Sequence, residues 1–159
     1  MYKIGDYVVY KRDICKISEI KQIRGVDYYI VSPLIDESLK ISLPSSSDLI
    51  RTVIKPEDAV MMIENIRDIP ILTATNDKAL ENIYKKLIIS DSCADLISVI
   101  KTTYLRNKNR IDTGKKCGSV DSYYFEEAEK KLYAEFSVAL GLSKEQVREY
   151  IINSINKLD

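Results

Sequence analysis

The stretch Gly5-Asp6-Tyr7-Val8-Val9-Tyr10 opens a series of short β-rich segments separated by turn residues. Residues 14–23, 28–31, 39–43 and 50–54 continue the series, and Leu39-Lys40-Ile41-Ser42-Leu43 alternates apolar and polar side chains with the period of a half-buried strand. Pro44 ends that segment, because proline has no N–H to give to a sheet ladder. The first third of the chain is therefore predicted to form five short strands in a small barrel or sandwich.

From Pro56 onward the pattern becomes helical. Pro56-Glu57-Asp58 places a proline and two acids where the first turn of a helix favours them, and a short helix is predicted from here to about Arg67. Further helices are predicted from a capping Asn76 or Asp77 to residue 89, over residues 94–110, from a capping Asp121 to a terminating Gly141, and after the capping box Ser143-Lys144-Glu145-Gln146. The fold class is thus α+β, with a β domain at 1–55 and an all-helical domain at 56–159.

Composition restricts the classes of function. The 159 residues have no histidine and no net formal charge, so the commonest general base and metal ligand is absent. Cys15, Cys93 and Cys117 are too far apart in sequence for metal-ligand spacing, and no glycine-rich phosphate loop or nucleophile motif occurs. We therefore expect a protein that is not an enzyme and has no cofactor and no metal.

The cellular setting is predicted from the same composition. The sequence has no run of eighteen apolar residues, and its start lacks the basic-then-apolar pattern of a secretory signal. An odd number of cysteines fits free thiols in a reducing compartment. A cytoplasmic monomer without a membrane partner is expected.

The segment Lys3-Ile4-Gly5-Asp6-Tyr7-Val8-Val9-Tyr10 resembles the opening of CarD-family bacterial transcription regulators and of the polymerase-interacting domain of the transcription-repair coupling factor. Arg24-Gly25, Tyr28-Tyr29-Ile30-Val31 and Leu39-Lys40-Ile41-Ser42-Leu43-Pro44 follow in the family's order, and residues 132–140 are similar to its penultimate helix. The resemblance implies a five-stranded Tudor-like β-barrel that docks on the RNA polymerase β subunit. It also implies that the helical domain contacts promoter DNA at the upstream edge of the transcription bubble.

The docking segment is expected at residues 40–43. A strand with alternating faces can turn one face to the barrel core while its backbone edge pairs with a strand of the partner, which is β-augmentation. Lys21 and Lys40 would add electrostatic complementarity to an acidic lobe of the polymerase. The predicted polymerase-binding residues are Lys21, Lys40, Ile41, Ser42 and Leu43; the alternative is an interior strand with two solvated lysines.

A stretch of the sequence in which positive charges predominate is the candidate DNA-binding region. Cations there can neutralise phosphates without reading sequence, and asparagines can add hydrogen bonds to the backbone. The predicted DNA-binding residues are Lys85, Lys86, Lys101, Arg106, Lys108, Asn109, Arg110, Lys115 and Lys116. The alternative is that these charges favour a helix C-terminus through the helix dipole and keep a loop solvated.

Two features depart from the family pattern. Residues 11–15 contain no glycine, where the family has a glycine-containing loop after Val-Val-Tyr, so that loop must be built differently. The chain also has no tryptophan, and the resemblance implies that Asn76-Asp77 stands where the family has its Asn-Trp wedge pair. An aspartate there would be repelled by phosphate. Tyr84 and Tyr104 are alternative wedge candidates, although their helical spacing favours the core.

These expectations combine into one function: a regulator that binds polymerase and sequence-independent upstream promoter DNA together and modulates the stability of the open complex. Two alternatives stay open. One is a Tudor-like binding module for RNA or the ribosome, and the other is an uncharacterised enzyme that uses carboxylate, lysine or tyrosine side chains.

Overall fold

A five-stranded antiparallel sheet forms the first of two units in the computed structural model, which describes residues 1–158. The first unit is Met1–Ile54, and the second begins at Lys55. The strands are β1 (Tyr7–Tyr10), β2 (Asp13–Ile23), β3 (Val26–Pro33), β4 (Ile41–Pro44) and β5 (Ile50–Thr52). Their order in the sheet is β4-β3-β2-β1-β5, so β4 and β5 lie at its two ends. The five predicted strands are confirmed.

Two-residue turns join the first three strands. Lys11 and Arg12 connect β1 to β2 with φ of 48° and 73°, and Arg24 and Gly25 connect β2 to β3 with φ of 51° and 79°. Positive φ at both positions matches the right-handed twist of a hairpin, and glycine or asparagine adopts it at the lowest cost. The first turn thus carries two bulky side chains in the left-handed region, which is how this loop is built without glycine.

The register of β2 against β3 shifts once. Ile17 pairs with Val31, whereas Glu19 pairs with Ile30, so Ser18 is an extra residue in a β-bulge. The Ser18 hydroxyl donates to the Ile30 carbonyl at 3.2 Å, which satisfies that oxygen at the irregularity. Beyond the bulge the hairpin continues to the Arg24-Gly25 turn.

One face of the sheet holds a core cluster. Its buried members are Val8, Cys15, Ile17, Tyr29, Val31, Leu43 and Ile50. Tyr2 covers part of the cluster, because its ring packs edge-on against Tyr29 at 5.7 Å between centroids and its hydroxyl bonds Thr52 Oγ1 at 3.2 Å. Burial, together with nearby Asp13, raises the pKa of the Cys15 thiol to about 11, so this thiol stays protonated and unreactive at neutral pH.

The Arg24-Gly25 turn gives a first prediction. Arg24→Asn is expected to stabilise the sheet unit by about 0.5 kcal/mol, because asparagine adopts the left-handed conformation more readily than arginine. Urea denaturation of the full chain measures the change. Arg24→Ala is the control, since it removes the same side chain but keeps the conformational cost. An asparagine variant no more stable than the alanine variant would contradict the argument.

The second unit consists of helices. They are α1 (Pro56–Glu64), α2 (Asp77–Ile88), α3 (Cys93–Asp112), α4 (Ser119–Leu140) and α5 (Lys144–Asn156), with a 3₁₀ turn at Ile66–Asp68. Within residues 1–158, none of these helices is long and apolar enough to cross a membrane. The prediction of one helix up to residue 67 is wrong, since α1 ends at Glu64 and a 3₁₀ turn follows.

Most predicted helix ends are confirmed by their caps. The Asn76 side chain accepts the Ala79 N–H at 2.8 Å, Gly141 ends α4 with φ of 65°, and Ser143 forms a full capping box with Gln146. Asp121 is the exception. The cap of α4 is Gly118, and Asp121 lies inside the first turn, where it is buried.

The centre of the helical unit lies between α3 and α4, which form its most extensive helix contact. Fully buried side chains come from one face of α3, from α4 and from α5: Leu96, Ile97, Ile100, Leu132, Phe136, Ile151 and Ile155. Tyr104 and Leu105 continue the α3 face but are only half-buried. This core fixes the ends of α3 and α4, where the basic residues lie.

Candidate functional site

The free edge of β4 is the first candidate site. The Ser45 N–H donates to the Asp27 carbonyl at 2.8 Å, and the ladder continues with Tyr29 opposite Leu43 and Ile30 opposite Ser42. Hydrogen-bonded and non-hydrogen-bonded pairs alternate in an antiparallel ladder. Ser42 therefore occupies a non-bonded position, with its N–H and C=O directed away from β3. The backbone of Ser42 is available to a further strand.

The edge is short because Pro44 ends it. Proline has no N–H, and its carbonyl already accepts the Ser47 N–H at 2.9 Å. A partner strand can thus pair with the backbone only on the Lys40 side of Pro44. This arrangement limits the edge to a few hydrogen bonds, and side chains must supply the remaining affinity.

The side chains of β4 separate the predicted docking residues into two groups. Leu43 is buried in the core cluster and Ile41 packs against it half-buried, whereas Lys40 and Ser42 are exposed. The side chains of Ile41 and Leu43 thus lie on the core face, as the predicted alternation requires, and the part of these residues in docking remains a prediction. Ser42 on β4 and Lys40, which directly precedes the strand, present exposed side chains to solvent.

Lys21 lies on the same face of the sheet as Ser42. It pairs with Tyr28 across β2 and β3, and Tyr28 pairs with Pro44 across β3 and β4. Tyr28 and Pro44 are half-buried and form an apolar step between the exposed lysine and the free edge. The Lys21 ammonium also lies 3.8 Å from Glu19 Oε2, a surface ion pair with little effect on stability. Tyr28 and Pro44 were not among the predicted docking residues, because their place beside Lys21 depends on the pairing of three strands.

Lys101 differs from its predicted role. Its side chain is buried, with 4% exposed, and its ammonium donates to the carbonyls of Ile66 at 2.9 Å and Ile69 at 2.6 Å. The prediction of a phosphate contact is corrected, since Lys101 instead holds the 3₁₀ turn against α3. Burial lowers the pKa of this ammonium; nearby Asp68 opposes the effect and Arg67 adds to it.

Arg106 and Arg110 also have partners within the helical unit. Asp121, which is 3% exposed, accepts from Arg106 Nε at 2.8 Å, from an Arg110 guanidinium nitrogen at 2.6 Å, and from the Tyr84 hydroxyl at 2.8 Å. Arg106 reaches a second acid, Asp77, at 3.1 Å. Both guanidiniums thus have an acidic partner inside the helical unit and stay partly exposed, and their contact with DNA remains a prediction. The i,i+4 spacing of Arg106 and Arg110 was the sequence signal for this shared partner.

Burial and hydrogen bonding act in opposite directions on Asp121. Burial would raise the pKa of its carboxyl, but the hydrogen bonds from Arg106, Arg110 and Tyr84 outweigh burial and lower it. The pKa of Tyr84 is raised by burial and by its bond to Asp121. The carboxylate is therefore ionised and the phenol neutral at physiological pH.

The loop after α3 is held by the same group of residues. Asn107 Oδ1 accepts from Arg110 at 2.6 Å and from the Gly118 N–H at 2.9 Å. A Cβ at Gly118 would stand 2.7 Å from an Arg110 nitrogen, so a larger residue at this position would displace the Arg110 guanidinium. The loop carrying Lys115 and Lys116 is thus anchored at its base while both lysines stay exposed.

The other predicted DNA-binding residues lie on the surface. Lys85 and Lys86 are exposed in the last turn of α2, and Asn109 is exposed on α3. Lys108 is half-buried and donates to Asn156 Oδ1 at 3.1 Å. The structure therefore brings Lys115, Lys116 and Asn109 to the end of α3 and leaves Lys85 and Lys86 on another helix.

The segment aligned with the family's wedge pair contains no aromatic residue. Asn76 caps α2, and Asp77 is exposed and paired with Arg106. Tyr84 is 1% exposed and belongs to the core, whereas the Tyr104 hydroxyl donates to Asn156 at 3.1 Å. Neither tyrosine is placed as an exposed wedge. Tyr123 is the exposed aromatic of α4, with its ring edge-on to Tyr124.

Within residues 1–158, no group of three potential metal-ligating side chains is close enough to hold an ion. Searches for similarity find no family model and no curated protein that matches the chain.

Proposed function

We propose that this protein is a bacterial transcription regulator that docks on the RNA polymerase β subunit through the free edge of β4 and acts without catalysis. The observation that carries the proposal is the outward backbone of Ser42. It lies within the segment Leu39-Lys40-Ile41-Ser42-Leu43-Pro44, which resembles the docking strand of the CarD family. A Tudor-like barrel that stays open along the edge of β4 is part of the same proposal.

Docking combines backbone pairing with side-chain recognition. A strand of the polymerase adds to β4 at Ser42, and its side chains contact the apolar step of Tyr28 and Pro44. Lys21 and Lys40 flank that step and speed association with an acidic surface. Because Pro44 limits the number of backbone bonds, the side chains of the exposed face set the affinity.

The helical unit contacts upstream promoter DNA through exposed cations only. Lys115, Lys116, Lys85 and Lys86 fit this role, because they are exposed. A factor bound to polymerase and DNA together shifts the balance of closed and open complexes by its difference in affinity for the two states. A difference of about 1 to 2 kcal/mol changes that ratio roughly five- to thirtyfold, so a few phosphate contacts are sufficient.

Ser42→Pro tests the docking edge. Proline removes the outward N–H and leaves the bonds between β3 and β4 intact, so we expect polymerase binding at least about tenfold weaker with unchanged folding. Ser42→Ala is the matched control, since it removes the hydroxyl and keeps the N–H. Binding of the full chain to a polymerase β fragment, followed by biolayer interferometry, gives the affinity, and circular dichroism checks the fold.

Three results would count against the proposal, each against a different part of it. Equal polymerase affinity of Ser42→Pro and Ser42→Ala would exclude backbone pairing at this edge. Recovery of ribosomes without polymerase in a pull-down with the full chain would favour the RNA- or ribosome-binding alternative. In a promoter assay, an open-complex lifetime that stays unchanged at a saturating concentration of the protein would remove the regulatory half of the proposal.

A further inference from the structure

A cavity of about 490 Å³ opens among α3, α4 and α5 in the helical unit. Small-molecule sites generally have volumes of about 300 to 1,000 Å³, so the cavity has the size of a ligand site. Tyr104, Ile111 and Phe125 supply its apolar wall, with the two rings 6.3 Å apart between centroids and tilted by 31°. A flat aromatic group fits against such a pair of rings.

The charged side chains that line the cavity differ in whether they have an oppositely charged partner. Glu129 has a cationic partner, since Arg148 Nε lies 3.2 Å from Glu129 Oε2, and the Arg148 guanidinium also lies over Phe125. Lys108 has a neutral partner, because its ammonium donates to the amide oxygen of Asn156 at 3.1 Å. That oxygen also accepts the Tyr104 hydroxyl, so it is shared between two donors. Lys108 therefore has hydrogen-bonding capacity for an anion.

The residues around the cavity also favour a negatively charged ligand. Lys115 and Lys116 are exposed in the loop that also contributes the cavity residue Cys117. Glu126 belongs to the lining as well, and water screens its exposed carboxylate as it screens the exposed Lys115 and Lys116. The half-buried Lys108 is screened less. An aromatic ligand with a negative group is thus complementary to the wall.

We propose that this cavity binds a small planar aromatic acid. The ring of the ligand packs against Phe125 and Tyr104, and its carboxylate accepts from Lys108. Because the lining comes from three helices, an occupied cavity links α3, α4 and α5 and stabilises the helical unit by binding only its folded form. This site is independent of the β4 edge and of polymerase docking.

The test uses the full chain and naphthoate as the probe, followed by NMR amide shifts and by thermal unfolding. Saturable shifts at the cavity and a raised melting temperature are expected. Naphthylmethylamine keeps the ring and reverses the charge, so it is expected to bind about tenfold more weakly. Lys108→Gln is expected to weaken naphthoate binding about tenfold, because it removes the charge of the donor and keeps its reach.

Lys86→Gln is the matched control, since Lys86 is an exposed lysine outside the cavity lining. It is expected to bind naphthoate as the unmodified chain does, and Phe125→Leu is expected to bind it more weakly through loss of the ring face. The proposal is overturned if naphthoate gives no saturable shifts, if the amine binds as tightly as the acid, or if Lys108→Gln and Lys86→Gln bind alike.

Discussion

Asp121→Asn is expected to destabilise the helical unit by about 3 kcal/mol, because it removes the buried charge that compensates Arg106 and Arg110. Asparagine keeps nearly the same volume, and its amide oxygen still accepts one of the three donors. The loss of stability is therefore caused by the missing charge and not by a cavity. Urea denaturation measures it, with Glu126→Gln, at an exposed position of the same helix, as the control.

The same variant gives a pH dependence. The pKa of Asp121 is lowered in the folded state below its ordinary value of 3.8, so its contribution is fully present above that value and is lost as the pH falls through the folded pKa. The stability difference between the unmodified chain and Asp121→Asn is therefore expected to be constant from pH 5 to 7, by the linkage relation, and to shrink below about pH 4. If the stability difference between the two proteins stayed constant down to about pH 2, the ionised carboxylate would not be the stabilising form.

Lys101→Met is expected to cost about 2 kcal/mol, because methionine fills much of the space but leaves the carbonyls of Ile66 and Ile69 without their buried donor. Denaturation of the full chain measures the effect. Lys115→Met is the control. Because Lys115 is exposed in the loop after α3, this substitution is expected to leave the stability of the chain unchanged.

A gel-shift titration with duplex DNA separates this structural role from the phosphate contact that the sequence suggests. Lys115→Met is expected to weaken any DNA binding and Lys101→Met to leave it unchanged in the folded fraction. A Lys101→Met protein that is fully stable but has lost DNA binding would reverse the assignment.

The elements of this fold were predictable from local patterns. Alternating side chains identify the strands, and the caps at Asn76, Gly141 and Ser143 identify the helix ends because each satisfies backbone groups within a few residues. The end of α1 was missed because the 3₁₀ turn depends on Lys101, which lies more than thirty residues further along the chain.

The candidate sites were less predictable, since a charged residue looks the same in sequence whether it faces water or a buried partner. Arg106 and Arg110 belong to an ion-pair group only because α4 brings Asp121 beside them. Ile41 and Ser42 differ by one position, yet one packs on the core and the other faces solvent. The strand pattern predicted this alternation, whereas the face on which Lys21 lies depends on a bulge that no local pattern indicates.

That bulge at Ser18 determines which residues of β2 accompany the free edge. Without the extra residue, strict alternation from Ile17 would put Glu19 and Lys21 on the face of the core cluster. With it, Ile20 pairs with Tyr29 on that face, and Lys21 pairs with Tyr28 on the other. The length of the segment between Ile17 and Lys21 therefore decides which side chains of the following part of β2 face the core. Inserting or deleting one residue would move them to the opposite face of the sheet, whereas inserting or deleting two residues would leave them on the same face.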